Sequence, residues 1–392
     1  MVITDITRPY AVFDTIFHKE SGLLETSAKI SWSGPQGMPP IIQAEGPTAR
    51  AGEGSQEIVH SQRPNSMGTI INVIPHNTPK TGGNATSAER VGTGLKHFGW
   101  NVSTIHYGLP LPKAEGILAW NAWTVAAPLI AQGIDLAHMV VVWTGTDLWD
   151  GLAQEPDLPA RLDRVLCHVV FTESARARLL EYAPHWHDRI VVIAPGVDEY
   201  LFHPHRVDTP SIPTILVAGG IREVKRTHWA VDLVESMREA GTLAELWLVG
   251  PARDSSEAAR VQDRAKTRPW VKVWGEIPRV QMPSMYCRAT VLLNTSRAEG
   301  VSNALMEAMA CGIPVVAANI DGNASLIDHG QTGWLFNSAE DFVRRMPRIL
   351  DDAQSRHRIA DAAREAIRQK HGAHREAAAY RSLFEKGVSA RH

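Results

Sequence analysis

The chain has 392 residues, 44% hydrophobic and 21% charged, with a formal net charge of −2. A soluble protein of two ordinary domains is expected from this length and composition. The near-neutral charge argues against a nucleic-acid partner, and three scattered cysteines exclude a disulfide framework. No apolar run reaches the roughly 18 residues of a membrane span, and the N-terminus lacks signal-peptide features, so we expect a cytoplasmic protein.

Residues 1–66 carry no recognisable motif. Short apolar runs at 11–17 and 30–32 are typical of strands, whereas 33–66 is rich in Gly, Pro, Ser and Gln with turn signals. We predict an N-terminal extension that packs partly on the surface. A lid or a dimer arm is the alternative, which leaves a homodimer open.

Apolar runs then alternate with helical patterns, which is the order of an α/β domain with a parallel sheet. A strand over 69–75 is followed by Gly82, Gly83 and Asn84, and then by a helix over 86–98. Glycines between a first strand and its helix let the backbone approach a ligand closely, with a plain turn as the alternative. The Gly-x-Gly-x-x-Gly fingerprint of a dinucleotide-binding loop is absent.

The polar residues after the later strands of this first domain form a second candidate site. The carboxyl ends of parallel strands face the ligand crevice, which places Thr144, Thr146 and Asp147 there. Asp147 could instead cap the next segment. Glu173 follows a later strand and lies near the start of a helix. The strands are predicted over residues 102–106, 116–120, 139–142, 167–171 and 189–193, and a helix is predicted over 123–132.

A linker with two prolines, 208–213, precedes a second series of strands. The first of these strands, 214–219, leads into the run Gly-Gly-Ile-Arg-Glu-Val-Lys, which ends at Lys225. Here a glycine pair, a helix start, Arg222 and Lys225 converge, as suits a diphosphate. A solvated loop with unrelated charges is the alternative. Further strands are predicted over 246–250, 271–275 and 289–294.

The stretch from 295 to 318 reads as loop, helix and strand, with the strand over 315–318. Residues 321–323 are predicted to end this strand, where they could contact sugar or phosphate. Glu299 lies in the loop, and Glu307 lies two turns into the helix, on the face shared with Asn303. The free N–H groups of the helix start favour an anion. Two carboxylates beside an anion site suit a sugar nucleotide, although ordinary surface acids would show the same spacing.

Residues 338–387 are largely helical, with scattered histidines such as His357, His371 and His374. Their irregular spacing in charged surroundings favours a solvated face over a metal site. No Asp-x-Asp pair stands at a strand end. We therefore predict no metal and no cofactor.

The run Glu-Gly-Val-Ser-Asn-Ala-Leu-Met-Glu-Ala-Met-Ala-Cys-Gly-Ile-Pro-Val-Val resembles the signature of retaining GT-B glycosyltransferases of family 4. The resemblance covers about residues 69–385 and is strongest over 214–336. The glycine loop, the Thr-Gly-Thr-Asp segment and Gly-Ile-Arg-Glu-Val-Lys look most like a small branch. That branch includes selenosugar-synthase-type enzymes and glycosyltransferase 1 domain-containing protein 1.

The resemblance implies an α/β fold of the GT-B class, with two Rossmann-like domains facing each other across a cleft. The N-terminal acceptor domain would span 67–207 and the donor domain 208–370, after the extension at 1–66. The last segment, 371–392, would be a helix that packs back toward the N-terminal domain.

The implied function is retaining, metal-independent sugar transfer from a UDP- or GDP-sugar to a small-molecule acceptor. Relatives of this branch transfer sugar to selenium or sulfur, so a thiol or selenium acceptor is expected. A sulfur-linked step of lincosamide antibiotic biosynthesis fits the same idea. The Thr-Gly-Thr-Asp loop replaces the His-Asp pair often found in the family, which leaves open which group assists the acceptor. A non-catalytic sugar-nucleotide-binding module and a GT-B epimerase or phosphorylase remain alternatives.

Residue roles carried over from the family complete the prediction. Glu299 would contact the transferred sugar, and Glu307 the ribose of the donor. The catalytic set is Arg222, Lys225, Glu299 and Asp147. The donor-binding set is Gly82, Gly83, Gly220, Gly250, Ile277, Gly300, Val301, Ser302, Asn303 and Glu307. The acceptor-binding set is Asn84, Thr144, Thr146 and Glu173.

Overall fold

The computed structural model describes residues 67–76, 78–79 and 82–389, with backbone alone for 386–389. The predicted extension over 1–66, with its lid and dimer-arm alternatives, lies outside the described residues. These described residues belong to one compact unit.

Two parallel six-stranded sheets follow one another along the chain, and they define the first and second domains. The strand orders are β2-β1-β3-β4-β5-β6 and β12-β11-β10-β7-β8-β9. This arrangement confirms the predicted α/β class with two Rossmann-like domains. The strands are β1 Thr69–Ile74, β2 Asn101–His106, β3 Gly116–Trp120, β4 Met139–Val142, β5 Cys167–Val170, β6 Ile190–Val192, β7 Thr214–Ala218, β8 Glu245–Val249, β9 Val271–Gly275, β10 Val291–Asn294, β11 Val315–Ala318 and β12 Trp334–Phe336.

Helices cover both faces of each sheet, which is why the buried strands are nearly continuous apolar runs. They are α1 Gly83–His97, α2 Ala127–Ala131, α3 Leu152–Gln154, α4 Leu158–Arg161, α5 Glu173–Tyr182, α6 Thr227–Glu239, α7 Ser255–Ala265, α8 Met282–Arg288, α9 Asn303–Ala310, α10 Asp321–Ala324, α11 Ala339–Asp351, α12 Ala353–Lys370 and α13 Ala373–Ser389. Within the described part of the chain, none of these helices is long and apolar enough to cross a bilayer.

The strand order locates a crevice in each sheet. The order reverses between β1 and β3 in the first domain, and between β7 and β10 in the second. Ligands of open parallel sheets bind beside the carboxyl ends of strands at such reversals. The loops after β1, β7 and β10, all singled out in the sequence, therefore lie at these points.

The C-terminal helix α13 packs against the first domain although it follows the second in sequence. Phe384 covers Gly116 of β3, and the ring of Tyr380 lies 6.0 Å from that of Trp120. The preceding helix α12 packs against α9 of the second domain. The chain therefore crosses back to the first domain between α12 and α13, and the predicted domain boundaries themselves stay predictions.

Two segments differ from their predicted conformation. The helix predicted over 123–132 begins as a π-helix, Ala122–Ala126, because Asn121 adopts a φ of 113° and its side chain accepts from Thr124 N. Residues 321–323 were predicted to end a strand, but β11 stops at Ala318 and they form the first turn of α10.

A methyl group at Gly94 tests the contact between α1 and α13. In a solvated helix, Gly→Ala would stabilise by about 1 kcal/mol. Here the added Cβ would overlap the Cβ of Ala377. We expect Gly94→Ala to lower the free energy of unfolding in a denaturant titration by about 1–3 kcal/mol, the usual cost of overpacking.

The matched control for this contact is the double variant Gly94→Ala/Ala377→Gly, which removes the overlap and should recover most of the loss. Equal destabilisation in the single and double variants would contradict the packing explanation.

Candidate functional site

Glycines bring the ends of β7 and β8 together. Gly219 and Gly250 have φ values of 140° and 144°, which L side chains rarely adopt. A Cβ at Gly250 would overlap the carbonyl oxygen of Gly219, and one at Gly220 would lie 2.9 Å from Arg253 Cγ. The loop after β7 therefore presents bare backbone at the crevice.

Two cations follow the pair Gly219 and Gly220 in the loop after β7. Arg222 is exposed, and Lys225 lies at the end of a single 3₁₀ turn, Glu223–Lys225. The Lys225 ammonium forms an ion pair with Glu299 Oε1, in the loop after β10. The sequence placed these three residues at one site, and the structure brings them together.

Arg226 joins the two loops and was missed in the sequence. It adopts a left-handed backbone (φ 48°), and its guanidinium donates to the carbonyls of Thr295 (2.8 Å) and Ser296 (3.2 Å). The same guanidinium lies 4.3 Å from the ring centre of Trp229. Because a left-handed arginine has no sequence signature, local pattern reading could not have found this role.

The Glu299 carboxylate is 10% exposed and accepts hydrogen bonds from several protein groups. Besides Lys225, its Oε1 accepts from Ser296 Oγ at 2.6 Å and from Asn294 Nδ2 at 3.3 Å. Burial alone would raise the pKa of Glu299, but the Lys225 charge and these hydrogen bonds outweigh burial and lower it. The group is therefore a carboxylate at neutral pH.

Polar side chains at the end of β10 shape the start of α9. Asn294 Nδ2 donates to Ser302 Oγ at 3.2 Å, and Ser302 caps α9 by accepting from Leu305 N at 3.5 Å. Asn323 is fully buried and donates to Asn294 Oδ1 at 3.2 Å. Its suggested contact with sugar or phosphate is thus replaced by a structural role. Asn294 was missed, although a polar residue ending a buried strand is a usable signal.

The second acid, Glu307, is held on α9. Tyr286 donates its hydroxyl to Glu307 Oε2 at 2.9 Å, and Arg279 Nη2 lies 3.6 Å from Oε1. Burial raises the pKa of Glu307, and Arg279, Tyr286 and Arg90 only partly oppose the rise. This carboxylate is thus less strongly stabilised in its charged form than Glu299.

The two domains touch at the loops after β4 and β10. A Cβ at Gly145 would overlap the backbone N of Gly300, and one at Gly300 would lie 2.8 Å from Thr144 O. Arg297 Nη2 and Asp150 Oδ2 add an ion pair of 3.5 Å across the same gap. Gly300 is thus required for the close approach of the two loops.

The predicted glycine loop of the first domain faces α9. Asn303 Nδ2 lies 3.5 Å from the carbonyl oxygen of Gly83. Gly82 immediately precedes α1, and Asn84 is partly buried in its first turn. The structure therefore brings this loop to the helix that carries Glu307.

The prediction that Asp147 is a catalytic acid in the cleft is corrected by the structure. Its side chain is fully buried, and its oxygens accept from the backbone N–H groups of Ala122 (2.8 Å), Thr144 (2.9 Å), Gly145 (2.9 Å) and Leu148 (3.1 Å). Burial raises the pKa of Asp147 to about 6, against the lowering effect of these bonds. Asp147 therefore organises the loop, which was the alternative role.

The other predicted acceptor residues are spread out. Thr144 Oγ1 accepts from Asn121 Nδ2 at 3.1 Å, and Thr146 is partly buried. Glu173 is exposed and pairs with Arg176 at 3.8 Å.

Two predicted donor-binding residues of the second domain face its core. The Ile277 side chain is buried there and Val301 packs partly against the same core, so that Ile277 can offer a ligand only its backbone.

A small recess lies between the domains beside Glu299. We call it the interdomain recess. Its wall from the second domain consists of Glu299, Gly300, Asp321 and Gly322. Its wall from the first domain consists of Trp143, Gly145, Leu148, Trp149, Phe171, Thr172 and Ala175. Among the described residues that line it, those of the first domain are mainly aromatic or aliphatic and none is ionisable.

A metal site was not predicted, and the described residues contain no group of three or more His, Cys, Asp or Glu side chains placed to bind one.

Comparisons with known proteins point to one family. Residues 212–352 match the family model of glycosyl transferases group 1. The chain is 29% identical over 165 residues to glycosyltransferase 1 domain-containing protein 1 of Xenopus tropicalis, covering 42% of this chain and 48% of that protein. It is 25% identical over 303 residues to D-inositol 3-phosphate glycosyltransferase of Thermobifida fusca, covering 68% and 66%. The chain thus spans about half the length of the Xenopus relative.

Solved structures confirm the predicted GT-B fold. Sucrose-phosphate synthase of Thermosynechococcus elongatus superposes with a TM-score of 0.69 at 17% identity, covering 82% of this chain and 99% of that one. Anabaena HepE in complex with UDP-glucose gives a TM-score of 0.63 at 15% identity, covering 82% and 99%.

Replacing Asp147 by Asn tests the corrected role. An amide has one acceptor oxygen and a donating NH₂ group, so at least one buried backbone N–H group, such as that of Ala122, loses its acceptor. We expect Asp147→Asn to lower the free energy of unfolding by about 1–3 kcal/mol in a denaturant titration.

Asp150 lies with Asp147 in a second π-helical segment, Asp147–Gly151. Asp150→Asn is the matched control and removes only the ion pair with Arg297. Its cost should stay within about 1 kcal/mol. Unchanged stability in Asp147→Asn together with loss of turnover would restore the cleft role.

Proposed function

We propose that this protein, whose residues 212–352 match the family model of glycosyl transferases group 1, transfers a sugar from a nucleoside-diphosphate sugar to a small-molecule acceptor. We further propose that the anomeric configuration is retained and that no metal takes part. The observation that carries the proposal is the Lys225–Glu299 pair, which lies at the reversal point of the second sheet beside the start of α9.

The loop after β7 is the proposed diphosphate site. Gly219 and Gly220 expose backbone there, and Arg222 and Lys225 supply two positive charges. The first N–H groups of α9 point outward from the other side of the crevice. As the bond between the sugar and the diphosphate breaks, these groups neutralise the charge that grows on the leaving oxygen.

The ion pair between Lys225 and Glu299 would rearrange when the donor binds. The diphosphate attracts the ammonium more strongly than a single carboxylate does, since it carries more charge. Glu299 is then free to accept hydrogen bonds from the hydroxyl groups of the sugar. Its lowered pKa keeps it in the accepting, anionic form.

Glu307 is the proposed ribose contact. Its carboxylate is oriented by Tyr286 and Arg279 one turn beyond the helix start, about where the ribose of a nucleotide bound at the diphosphate site would lie. The backbone beside Ile277 is the proposed support for the base. UDP and GDP are both compatible with such backbone contacts.

The interdomain recess is the proposed acceptor site. It adjoins Glu299 and is enclosed by the contact between Gly145 and Gly300, which would exclude water from the donor. We propose a thiol or selenol acceptor. Its sulfur or selenium bonds to the anomeric carbon, the carbon–oxygen bond to the diphosphate breaks, and the acceptor proton is released to solvent.

A nucleotide-dependent assay tests the function. UDP, GDP and ADP are first compared by the melting shift that each induces. The matching sugar nucleotides are then incubated with a thiol panel in EDTA, and the coupling constant of the anomeric proton in the product reports its configuration. We expect a glycosylated thiol of retained configuration.

The same assay separates the alternatives. Conversion of the donor without an acceptor would favour an epimerase or phosphorylase, and binding without any turnover would favour a regulatory module. Loss of activity in EDTA that Mg²⁺ restores would overturn the metal-independent mechanism.

The two acids should separate binding from turnover. Free UDP or GDP contains ribose but no transferred sugar. Glu307→Ala should therefore weaken binding of the diphosphate by about 1.5–3 kcal/mol in calorimetry, the value of a charged hydrogen bond. Glu299→Ala should leave that binding nearly unchanged and reduce turnover of the complete donor.

Glu239→Ala provides a control acid, exposed at the end of α6 and without an assigned ligand contact. If Glu299→Ala and Glu307→Ala weaken diphosphate binding equally, the two acids act as one patch and their separate roles are wrong.

A further inference from the structure

A buried ion pair joins α1 to the C-terminal helix. Arg90 Nε donates to Glu376 Oε2 at 2.6 Å, and Nη2 donates to Oε1 at 3.0 Å. The two side chains are only 5% and 1% exposed. Two charges removed from water are tolerated when their geometry is this well matched.

Hydrogen bonds continue from Arg90 to α9 in the other domain. Arg90 Nη2 donates to Ser87 Oγ at 3.4 Å, and Asn303 Nδ2 donates to the same oxygen at 3.4 Å. Asn303 is the first residue of α9, and Glu307 follows one turn later on the same face. One continuous network therefore runs from α13 through α1 to the helix of the proposed ribose contact.

Glu376 also lies where the chain passes between the domains. His371 Nδ1 and Pro195 O are 2.8 Å apart, and a Cβ at Gly196 would lie 3.0 Å from Glu376 Oε2. The chain passes between the two sheets twice, in the turn at 195–197 and at the start of α13. Both passages therefore lie beside Glu376, which holds Arg90.

We infer that Arg90 is a positioning residue for donor binding. Fixed by Glu376 at the domain crossing, it holds α1 against the start of α9, so that Asn303 and Glu307 meet the nucleotide in one geometry. The inference rests on the proposed function, since it takes Glu307 as the ribose contact. The Arg90 network then supports Glu307 from the first domain, in addition to Tyr286 and Arg279 of its own domain.

The charge of Arg90 also acts on Glu307. The other groups that face this carboxylate are Arg279 and Tyr286, from α8 and the turn before it, Asp198 after β6, and Cys311 at the end of α9. Arg90 favours the ionised form and thus opposes the rise in pKa that burial causes. Without Arg90 the pKa of Glu307 rises further, so a larger share is protonated at a given mildly acidic pH.

The test replaces both members of the ion pair in the full chain. Arg90→Met/Glu376→Met leaves no unpaired buried charge and should keep the melting temperature close to that of the unmodified protein. We expect it to bind UDP or GDP about tenfold more weakly in calorimetry, within the usual range of coupling between sites. The pH below which binding is lost should move upward.

Two further variants keep the inference testable if the double variant fails to fold. Ser87→Ala removes only the bridging hydroxyl and should weaken binding by a few-fold, with no change in the pH midpoint. Arg268→Met/Glu235→Met removes a comparable bidentate pair in the second domain, with N–O distances of 2.7 and 2.8 Å, and should leave binding unchanged.

Each outcome has one meaning. If the unmodified protein binds neither UDP nor GDP, the proposed function fails. If it binds one of them, and both the Arg90/Glu376 double variant and Ser87→Ala bind with unchanged affinity and pH midpoint, the ion pair is purely structural and the inference is overturned. Should the double variant not fold, unchanged binding in Ser87→Ala overturns it.

Discussion

The backbone of Gly145 lies against the backbone of Gly300, and neither position has room for a Cβ atom. The rest of the site depends on this contact, because it brings the carboxyl edges of two separate sheets together. Gly322 extends the same constraint, since a Cβ there would overlap the carbonyl oxygen of Glu299. Backbone alone fills the narrowest point, and the functional side chains lie around it.

Three acids of the molecule each have a cation of their own. Lys225 pairs with Glu299, Arg279 lies beside Glu307, and Arg90 holds Glu376. Burial without such a partner raises the pKa of a carboxyl group. The pairs differ in what a ligand could do to them. Arg90 and Glu376 are closed to solvent, whereas Lys225 can exchange its carboxylate for a diphosphate that enters the crevice.

The sequence allowed the sheets to be predicted well, because buried parallel strands are continuous apolar runs. The bounds of β4 and β11 coincide with the predicted runs. The loops were harder. The strand-end rule places Asp147 at the crevice, but the tight turn at Gly145 folds its carboxylate back onto four backbone N–H groups.

Long-range partners were beyond the reach of pattern analysis. Arg90 and Glu376 are 286 positions apart, and each looks like an ordinary charged residue of a surface helix. They become buried because α13 returns to the first domain and covers α1. The signature around Glu299 was accessible since its strand, loop and helix are consecutive. A site shared by distant elements requires the fold before its members can be recognised.

The chemistry of the proposed reaction is divided unequally between the domains. The second domain contributes the charged groups that we propose to meet the donor, Arg222, Lys225, Glu299 and Glu307. The first-domain side chains that line the interdomain recess are mainly aromatic or aliphatic and none is ionisable, whereas the second domain lines it with Glu299 and Asp321. An alcohol acceptor would need a base at that wall. A thiol, with a pKa of about 8.5, ionises readily enough to react without one. The uncharged first-domain wall is the feature on which the proposal of a sulfur or selenium acceptor rests.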